Sequence, residues 1–147
     1  MHAHDHKANH RIRIVVADDF PAMLDTVEKC LAPGCEIMER ASDGLALVES
    51  VCRLRPDLLI TDISMPNLNG IEALRQLRNL GVQTPAIILT LINDKSVAQQ
   101  AFIAGAQAFV LKCRLESDLR MAVQEALAGR MYTSEPVSNS GVGEASR

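Results

Sequence analysis

Aromatic residues are almost absent from this 147-residue sequence, which has no tryptophan, one tyrosine and three phenylalanines. Because hydrophobic residues still make up 48% of the chain, its core must consist mainly of aliphatic side chains. No segment has the roughly 18 consecutive apolar residues of a membrane span, and the polar N-terminus lacks the apolar stretch of a secretory signal. These absences predict a soluble, cytoplasmic, single-domain protein with no membrane partner.

Several sequence signatures are missing as well. The four cysteines form no C-x-x-C pair and have no neighbouring histidine, so we expect reduced thiols rather than a metal site. All four histidines fall within residues 1–10, where they could bind a transition metal adventitiously or be an artificial addition. There is no G-x-G-x-x-G or G-K-[S/T] motif, and the net charge of −3 argues against a nucleic-acid surface spread over the whole domain.

Short apolar runs alternate with amphipathic helical segments along the chain. Five runs are predicted to be strands, and they cover residues 12–17, 36–41, 58–61, 86–89 and 108–111. Five strands alternating with five helices predict an α/β fold, in which helices cover both faces of a parallel sheet. Residues 1–10 and 133–147 are expected to be flexible ends of a domain at 11–132.

Polar side chains stand where four of these predicted strands end. Asp18 and Asp19 follow the first strand, Asp62 follows the third, Thr90 follows the fourth and Lys112 follows the fifth. Because the carboxyl ends of parallel strands meet at one edge of a sheet, these groups are expected to converge. Neighbouring carboxylates repel one another, and a divalent cation that prefers oxygen ligands, Mg²⁺ or Mn²⁺, would relieve that repulsion.

The expected metal ligands come from two of these strand ends. We predict Asp19 and Asp62 as direct ligands, the backbone carbonyl near Ser64 as a third, and Asp18 as a ligand through water. A carboxylate beside such a metal can be the nucleophile of phosphoryl transfer. Asp62 would therefore attack an activated phosphoryl group and become an aspartyl phosphate.

The remaining polar groups fit the same chemistry. Lys112 would offset the charge on the transferring oxygens, and the Thr90 hydroxyl would donate a hydrogen bond to the product phosphoryl. If Thr90 moved toward the phosphoryl, Phe109 could turn inward to fill the space. Each residue alone has a plainer interpretation as a cap, a turn former, a solvated lysine or a core side chain. The joint arrangement favours a phosphoryl-transfer site.

The combination resembles the receiver domain of bacterial two-component response regulators over about residues 11–132. The matching features are Asp18-Asp19, Asp62 with Met65-Pro66 and Gly70, Thr90 and Lys112. The resemblance implies a flavodoxin-like (βα)5 three-layer sandwich with a five-stranded parallel sheet in the order 2-1-3-4-5. It also implies Mg²⁺-dependent transfer from the phosphohistidine of a sensor histidine kinase to Asp62, with Phe109 at the aromatic switch position.

Two segments are most similar to the NarL/FixJ branch, also called LuxR-type: Ala17-Asp18-Asp19-Phe20-Pro21 and Ala128-Gly129-Arg130-Met131-Tyr132. Regulators of this branch usually carry a C-terminal helix-turn-helix domain, for which residues 133–147 are too few. We therefore expect a receiver fragment of a transcription regulator, with a natural single-domain regulator as the alternative. DNA would be contacted only through the absent output domain, and phosphorylation could bring a homodimer together.

Two positions depart from the family pattern. Cys113 follows Lys112 where many receivers have proline, although we still expect Lys112 to point inward. Leu91 follows Thr90 where a small residue is common, and unless it tilts away it should narrow access to Asp62 for small phosphodonors.

Three interpretations remain open from the sequence. The favoured one is a phosphoacceptor switch with self-directed phosphotransfer and autodephosphorylation, not a conventional enzyme. A receiver-like interaction module that works without phosphorylation is the alternative. A haloacid dehalogenase-type phosphatase is disfavoured because Ser64 stands where those enzymes need a second acid. The output surface is expected on the helix near 95–104, the fifth strand and the last helix, with exposed candidates Gln99, Gln100, Arg114 and Arg120.

Overall fold

The protein was analysed as a computed structural model, which describes residues 11–134. Its centre is a parallel sheet in the order β2-β1-β3-β4-β5-β6. The strands are β1 (Ile12–Ala17), β2 (Cys35–Ala41), β3 (Leu58–Thr61), β4 (Ala86–Thr90), β5 (Ala108–Leu111) and β6 (Tyr132–Thr133). The flavodoxin-like α/β class and the order of the first five strands are confirmed.

Five helices connect the strands, as the alternating pattern predicted. They are α1 (Pro21–Leu31), α2 (Gly44–Leu54), α3 (Gly70–Asn79), α4 (Lys95–Ile103) and α5 (Leu115–Leu127), and a short 3₁₀ turn (Lys112–Arg114) precedes the last. Asp43, Asn69 and Asp94 cap α2, α3 and α4, because each side chain accepts a backbone N–H of the first helical turn. No helix among residues 11–134 is long and apolar enough to cross a membrane.

Alternating side chains of the sheet divide the core into two layers, as the two-residue period of a strand requires. Val15, Leu59, Ile88 and Phe109 belong to the layer that includes residues of α2, α3 and α4. The residues beside them on the same strands belong to the layer that includes residues of α1 and α5. Every residue of β3, β4 and β5 is buried, which explains their continuously apolar sequences.

The sixth strand is a difference from the expected five. Tyr132 and Thr133 lie parallel to β5, in register with Ala108 and Phe109, and Ser134 is fully buried. The packed domain therefore extends to Ser134, two residues beyond the boundary expected at 132. The expected flexible ends at 1–10 and 135–147, with the four histidines, lie outside the described residues.

Candidate functional site

The register of the sheet brings the predicted acidic residues to one edge. Ala17 pairs with Thr61, so the residues that follow them, Asp18 and Asp62, lie beside each other. The Asp62 amide donates to the Ala17 carbonyl at 3.0 Å, and the Asp18 amide donates to the Ala41 carbonyl at 3.0 Å. Backbone hydrogen bonds therefore fix both carboxylates at the carboxyl edge of the sheet.

Lys112 joins the two carboxylates. Its Nζ donates to Asp18 Oδ2 at 2.8 Å and to Asp62 Oδ2 at 3.0 Å, across sequence separations of 94 and 50 residues. The exposed fractions of the side chains are 7% for Lys112, 3% for Asp18 and 10% for Asp62, so this ion-pair network is largely shielded from water. Lys112 points inward as predicted, although Cys113 follows it.

The environment of Lys112 favours its charged form. Burial lowers the pKa of this ammonium, but its hydrogen bonds and charge interactions with Asp18 and Asp62 outweigh that effect, and the net pKa lies above the usual lysine value. Lys112 is therefore an ammonium at neutral pH. It supplies a fixed positive charge where a phosphoryl group on Asp62 would bring further negative charge.

Three carboxylates at this edge have the chemistry of a site for a hard divalent cation. One oxygen each from Asp18, Asp19 and Asp62 lies within 4.8 Å of the others. Asp19 is exposed, whereas Asp18 and Asp62 are buried, so this cluster opens to solvent on the Asp19 side. Oxygen-only ligands with room for water fit Mg²⁺ or Mn²⁺. Ser64 lies two residues after Asp62 in the loop that leads to α3, and the role of its carbonyl remains a prediction.

The other predicted residues belong to β4, β5 and the loop after β4. Thr90 is 1% exposed, and its hydroxyl oxygen accepts the Ile92 amide at 3.1 Å. Phe109 is fully buried in the layer that includes Ala98 and Ala101 of α4, so its ring faces inward. Leu91 is 77% exposed.

Gly70 supports the backbone at Asp62. A Cβ atom on Gly70 would overlap the Asp62 carbonyl oxygen, so only glycine allows the start of α3 to approach the residue after β3 this closely. The Gly70 amide donates to the Ile63 carbonyl at 2.8 Å, and the Thr61 hydroxyl donates to the Asp62 carbonyl at 2.8 Å. The side chain of Asp62 in turn accepts the Ile63 amide at 2.7 Å.

A contact that the sequence did not indicate holds the far end of the same loop. The Asn67 amide group donates to Asp43 Oδ2 at 2.6 Å, while Asp43 Oδ1 caps α2 through the Ala46 amide at 2.7 Å. Asn67 has a φ of 69°, a left-handed conformation that asparagine tolerates better than most residues. Both hydrogen bonds lower the pKa of the Asp43 carboxyl, with the Ala46 contribution the larger.

Two arginines of the expected output surface also have intramolecular partners. Arg114 forms a bidentate ion pair with Asp118 at 2.9 and 3.2 Å, and Arg120 donates to the carbonyls of Cys30 and Leu31 at the end of α1. Arg120 is exposed, as expected, whereas Arg114 is only partly exposed. Gln99 and Gln100 are exposed, as expected.

The doubly wound sheet, its carboxylate cluster and the buried lysine define a class: α/β domains whose acidic strand-end site suits a metal and a phosphoryl group. Residues 14–124 match the family described as the response regulator receiver domain. The chain therefore belongs to the response regulator receiver family of two-component signalling, as its motifs predicted.

The relatives with known names include regulators of the predicted branch. The chain is 31% identical over 127 residues to the nitrate/nitrite response regulator NarL of Escherichia coli K12, covering 85% of this chain and 59% of NarL. It is 32% identical over 123 residues to the glycerol metabolism activator of Pseudomonas putida, covering 82% and 56%. The chain thus spans a little over half the length of these curated relatives.

Solved structures of response regulators have the same fold. A LuxR-family two-component response regulator from Aurantimonas superposes with a TM-score of 0.87 at 26% identity, covering 94% of this chain and all of that one. The isolated receiver domain of RcsB from Salmonella enterica serovar Typhimurium, solved with phosphomimetic BeF3⁻, gives 0.80 at 26% identity, with 88% and 98% covered.

Proposed function

We propose that this receiver domain is a phosphorylation switch in which Asp62 accepts a phosphoryl group from the phosphohistidine of a sensor histidine kinase. The observation that supports this most directly is the buried ammonium of Lys112, bound to both Asp18 and Asp62. A lysine between two carboxylates can release part of that interaction to a new anion on one of them. The Lys112 ammonium is therefore suited to form an ion pair with a phosphoryl group on Asp62.

The transfer requires little covalent chemistry from the protein. One oxygen of the Asp62 carboxylate attacks phosphorus, the new O–P bond forms, and the P–N bond to the kinase imidazole breaks, with its electron pair returning to the ring nitrogen. Asp62 Oδ1 is held by the Ile63 amide and Oδ2 by Lys112, so the carboxylate is oriented before the donor arrives. Lys112 offsets the charge of the phosphoryl oxygens.

The carboxylates of Asp18, Asp19 and Asp62 would hold Mg²⁺ or Mn²⁺, with the Ser64 carbonyl as a further ligand. When bound, the metal would supply positive charge that neutralises the carboxylates and the phosphoryl oxygens. Asp19 is the exposed member of the set and is suited to receive the ion from solvent.

Thr90 and Phe109 would convert the modification into a change of shape. The Thr90 oxygen uses a lone pair to accept the Ile92 amide, so its proton can still be donated to a phosphoryl oxygen. A shift of Thr90 toward Asp62 would change the space against which Phe109 packs. The acyl phosphate would then bias the chain between two arrangements until it hydrolyses.

The output would be control of transcription in the cytoplasm. NarL is named as a nitrate/nitrite response regulator, and the solved neighbours include RcsB dimers bound to DNA. By analogy, this chain would bind a kinase, could dimerise when phosphorylated, and would reach DNA only through an output domain. It would act as a self-modifying switch with autodephosphorylation rather than as a conventional enzyme.

The first test is the intact mass of the protein after incubation with acetyl phosphate or phosphoramidate and Mg²⁺. We expect a gain of about 80 Da, one phosphoryl group, in the wild type. Asp62→Asn should gain none, because an amide is a poor nucleophile, and EDTA should abolish the gain in the wild type. An equal adduct on Asp62→Asn would contradict Asp62 as the acceptor.

A phosphorylation-independent interaction module is the second candidate, and Leu91 is the residue that favours it. Its large exposed side chain directly follows Thr90, where it could hinder access to the site. No adduct with small donors or with a matched kinase would support this alternative.

A further inference from the structure

Ser134 is fully buried and makes three hydrogen bonds beyond the predicted end of the domain. Its amide donates to the Phe109 carbonyl at 2.9 Å, which continues the pairing of β6 with β5. Its hydroxyl oxygen accepts the Leu111 amide at 3.0 Å and donates its proton to Asp118 Oδ2 at 2.8 Å. The serine hydroxyl thus takes the place of a strand carbonyl as the acceptor for the Leu111 amide, and Leu111 directly precedes Lys112.

The Asp118 carboxylate, which accepts the Ser134 hydroxyl, also contacts the segment that follows Lys112. Asp118, which is 4% exposed, receives Arg114 Nε on Oδ2 at 2.9 Å, and Arg114 belongs to the 3₁₀ turn that begins at Lys112. Burial raises the pKa of the Asp118 carboxyl, but bonds from Arg114, Ser134 and Ser117 outweigh it and lower the net pKa, so Asp118 is a carboxylate at neutral pH. One buried carboxylate therefore connects both backbone segments that flank the lysine.

We propose that Ser134 and Asp118 are positioning residues for Lys112, and that they couple strand β6 to the phosphoryl site. This inference rests on the function proposed above. The backbone of Lys112 is fixed on one side by the Leu111–Ser134 bond and on the other by the Arg114–Asp118 pair. A phosphoryl group that draws Lys112 away from Asp18 would therefore shift the 3₁₀ turn, which Asp118 connects to strand β6 through Ser134.

Reciprocity makes this proposal measurable. If the Ser134–Asp118 hydrogen bonds couple the site to β6, removing them must change the affinity of the site for a phosphoryl mimic. Binding of the mimic must in turn change the environment of β6. Tyr132, the sole tyrosine in a chain without tryptophan, lies in β6, so tyrosine emission reports on this strand.

The experiment titrates beryllofluoride with Mg²⁺ into the wild type and Ser134→Ala, using fluorine NMR and tyrosine emission. We expect Ser134→Ala to bind about tenfold more weakly, the usual scale for losing a group that orients a ligand-binding residue. In the wild type, tyrosine emission should change with the same midpoint as the NMR signal. An unchanged affinity in Ser134→Ala would overturn the positioning role, and constant emission during binding would overturn the coupling.

Ser50→Ala is the matched control. Ser50 is also fully buried and donates its hydroxyl to a carboxylate, that of Glu39, away from the site. It should lose stability in urea while keeping wild-type affinity, and an equal loss of affinity would assign the effect to general destabilisation. If Ser134→Ala does not fold, Asp118→Asn, which keeps the side chain's size, decides the question in the same assay. A wild type that binds no beryllofluoride would instead refute the proposed function itself.

Discussion

Positively charged side chains serve different ends at the amino and carboxyl edges of the sheet. At the edge where the strands begin and the helices end, arginine side chains donate to backbone carbonyls: Arg13 to Leu54 and Arg55, Arg78 to Val82 and Gly105, and Arg120 to Cys30 and Leu31. Carbonyls at helix ends lack intrahelical partners and carry partial negative charge. These arginines therefore stabilise helix ends whose carbonyls would otherwise accept hydrogen bonds from water.

At the opposite edge, the cation is a lysine and its partners are carboxylates. Lys112 contacts Asp18 and Asp62, which are themselves held by the amides of Phe20 and Ile63. The backbone carbonyls that bind the guanidinium groups keep the same charge, whereas an ammonium between two carboxylates can redistribute its contacts when one of them is modified. The comparison therefore predicts that the arginines contribute to stability and that Lys112 contributes to the proposed phosphoryl transfer.

Replacing Lys112 at one edge and Arg120 at the other should give the largest difference in phosphorylation rate. Lys112→Ala should slow phosphorylation by acetyl phosphate about 100-fold, because the transferring oxygens lose their fixed positive charge. Arg120→Ala should phosphorylate at the wild-type rate while losing about 1 kcal/mol of unfolding free energy. Initial rates from intact mass and unfolding in urea measure the two effects.

The variants Lys112→Ala and Arg120→Ala also test at which edge of the sheet Mg²⁺ stabilises the protein. Lys112→Ala leaves Asp18 and Asp62 facing each other without a cation, so added Mg²⁺ should raise its melting temperature more than that of the wild type. Arg120→Ala should respond to Mg²⁺ as the wild type does. A slow rate in both variants, or an equal response to Mg²⁺ in both, would remove the distinction between the two edges.

Two glycines sharpen the comparison at the level of the backbone. Gly70→Ala forces a Cβ against the Asp62 carbonyl and should displace Asp62, with a loss of at least about tenfold in phosphorylation rate. Gly129→Ala meets no atom within 4 Å but has a φ of 80°, so it should cost about 1 kcal/mol of stability and leave the rate unchanged. Equal rates in the two variants would show that Asp62 tolerates the shift.

The Asn67–Asp43 contact should have a smaller effect. Asn67→Gly keeps the left-handed backbone but removes the hydrogen bond that ties the Asp62 loop to α2, and should weaken Mg²⁺ binding about threefold. The Mg²⁺ dependence of the phosphorylation rate measures this. The swapped pair Asp43→Asn with Asn67→Asp can remake the hydrogen bond and should recover most of the affinity, so a swap no better than Asn67→Gly would count against the contact.

The sequence predicted the elements whose signals are local. Apolar runs followed by Asp18, Asp62 and Lys112 can be recognised along the chain, and parallel pairing brings the carboxyl ends of such strands to one edge. The first five strands were predicted from these runs, whereas their order and the inward direction of Lys112 were implied by the resemblance to receiver domains.

The missed features depend on contacts distant in sequence. β6 has two residues, too few to show periodicity, and Ser134 lies in a polar stretch that reads as a linker. Asn67 and Asp43 are 24 residues apart, and only the folded chain brings them together. The arginines at the opposite edge were missed because hydrogen bonding to carbonyls leaves no pattern in the sequence.

The smallest expected effect concerns an exposed leucine at each edge. Leu91 directly follows Thr90 and is 77% exposed, whereas Leu80, at the end of α3 on the opposite edge, is 63% exposed. If Leu91 narrows the approach to Asp62, Leu91→Ala should accelerate phosphorylation by small donors several-fold, and Leu80→Ala should leave the rate unchanged, since a steric barrier acts only where the donor must pass. Intact-mass time courses with acetyl phosphate and phosphoramidate measure both variants under one condition. Equal rates in wild type and Leu91→Ala would mean that the leucine side chain tilts away from the path of the donor, and the phosphorylation-independent alternative would lose the residue that favours it.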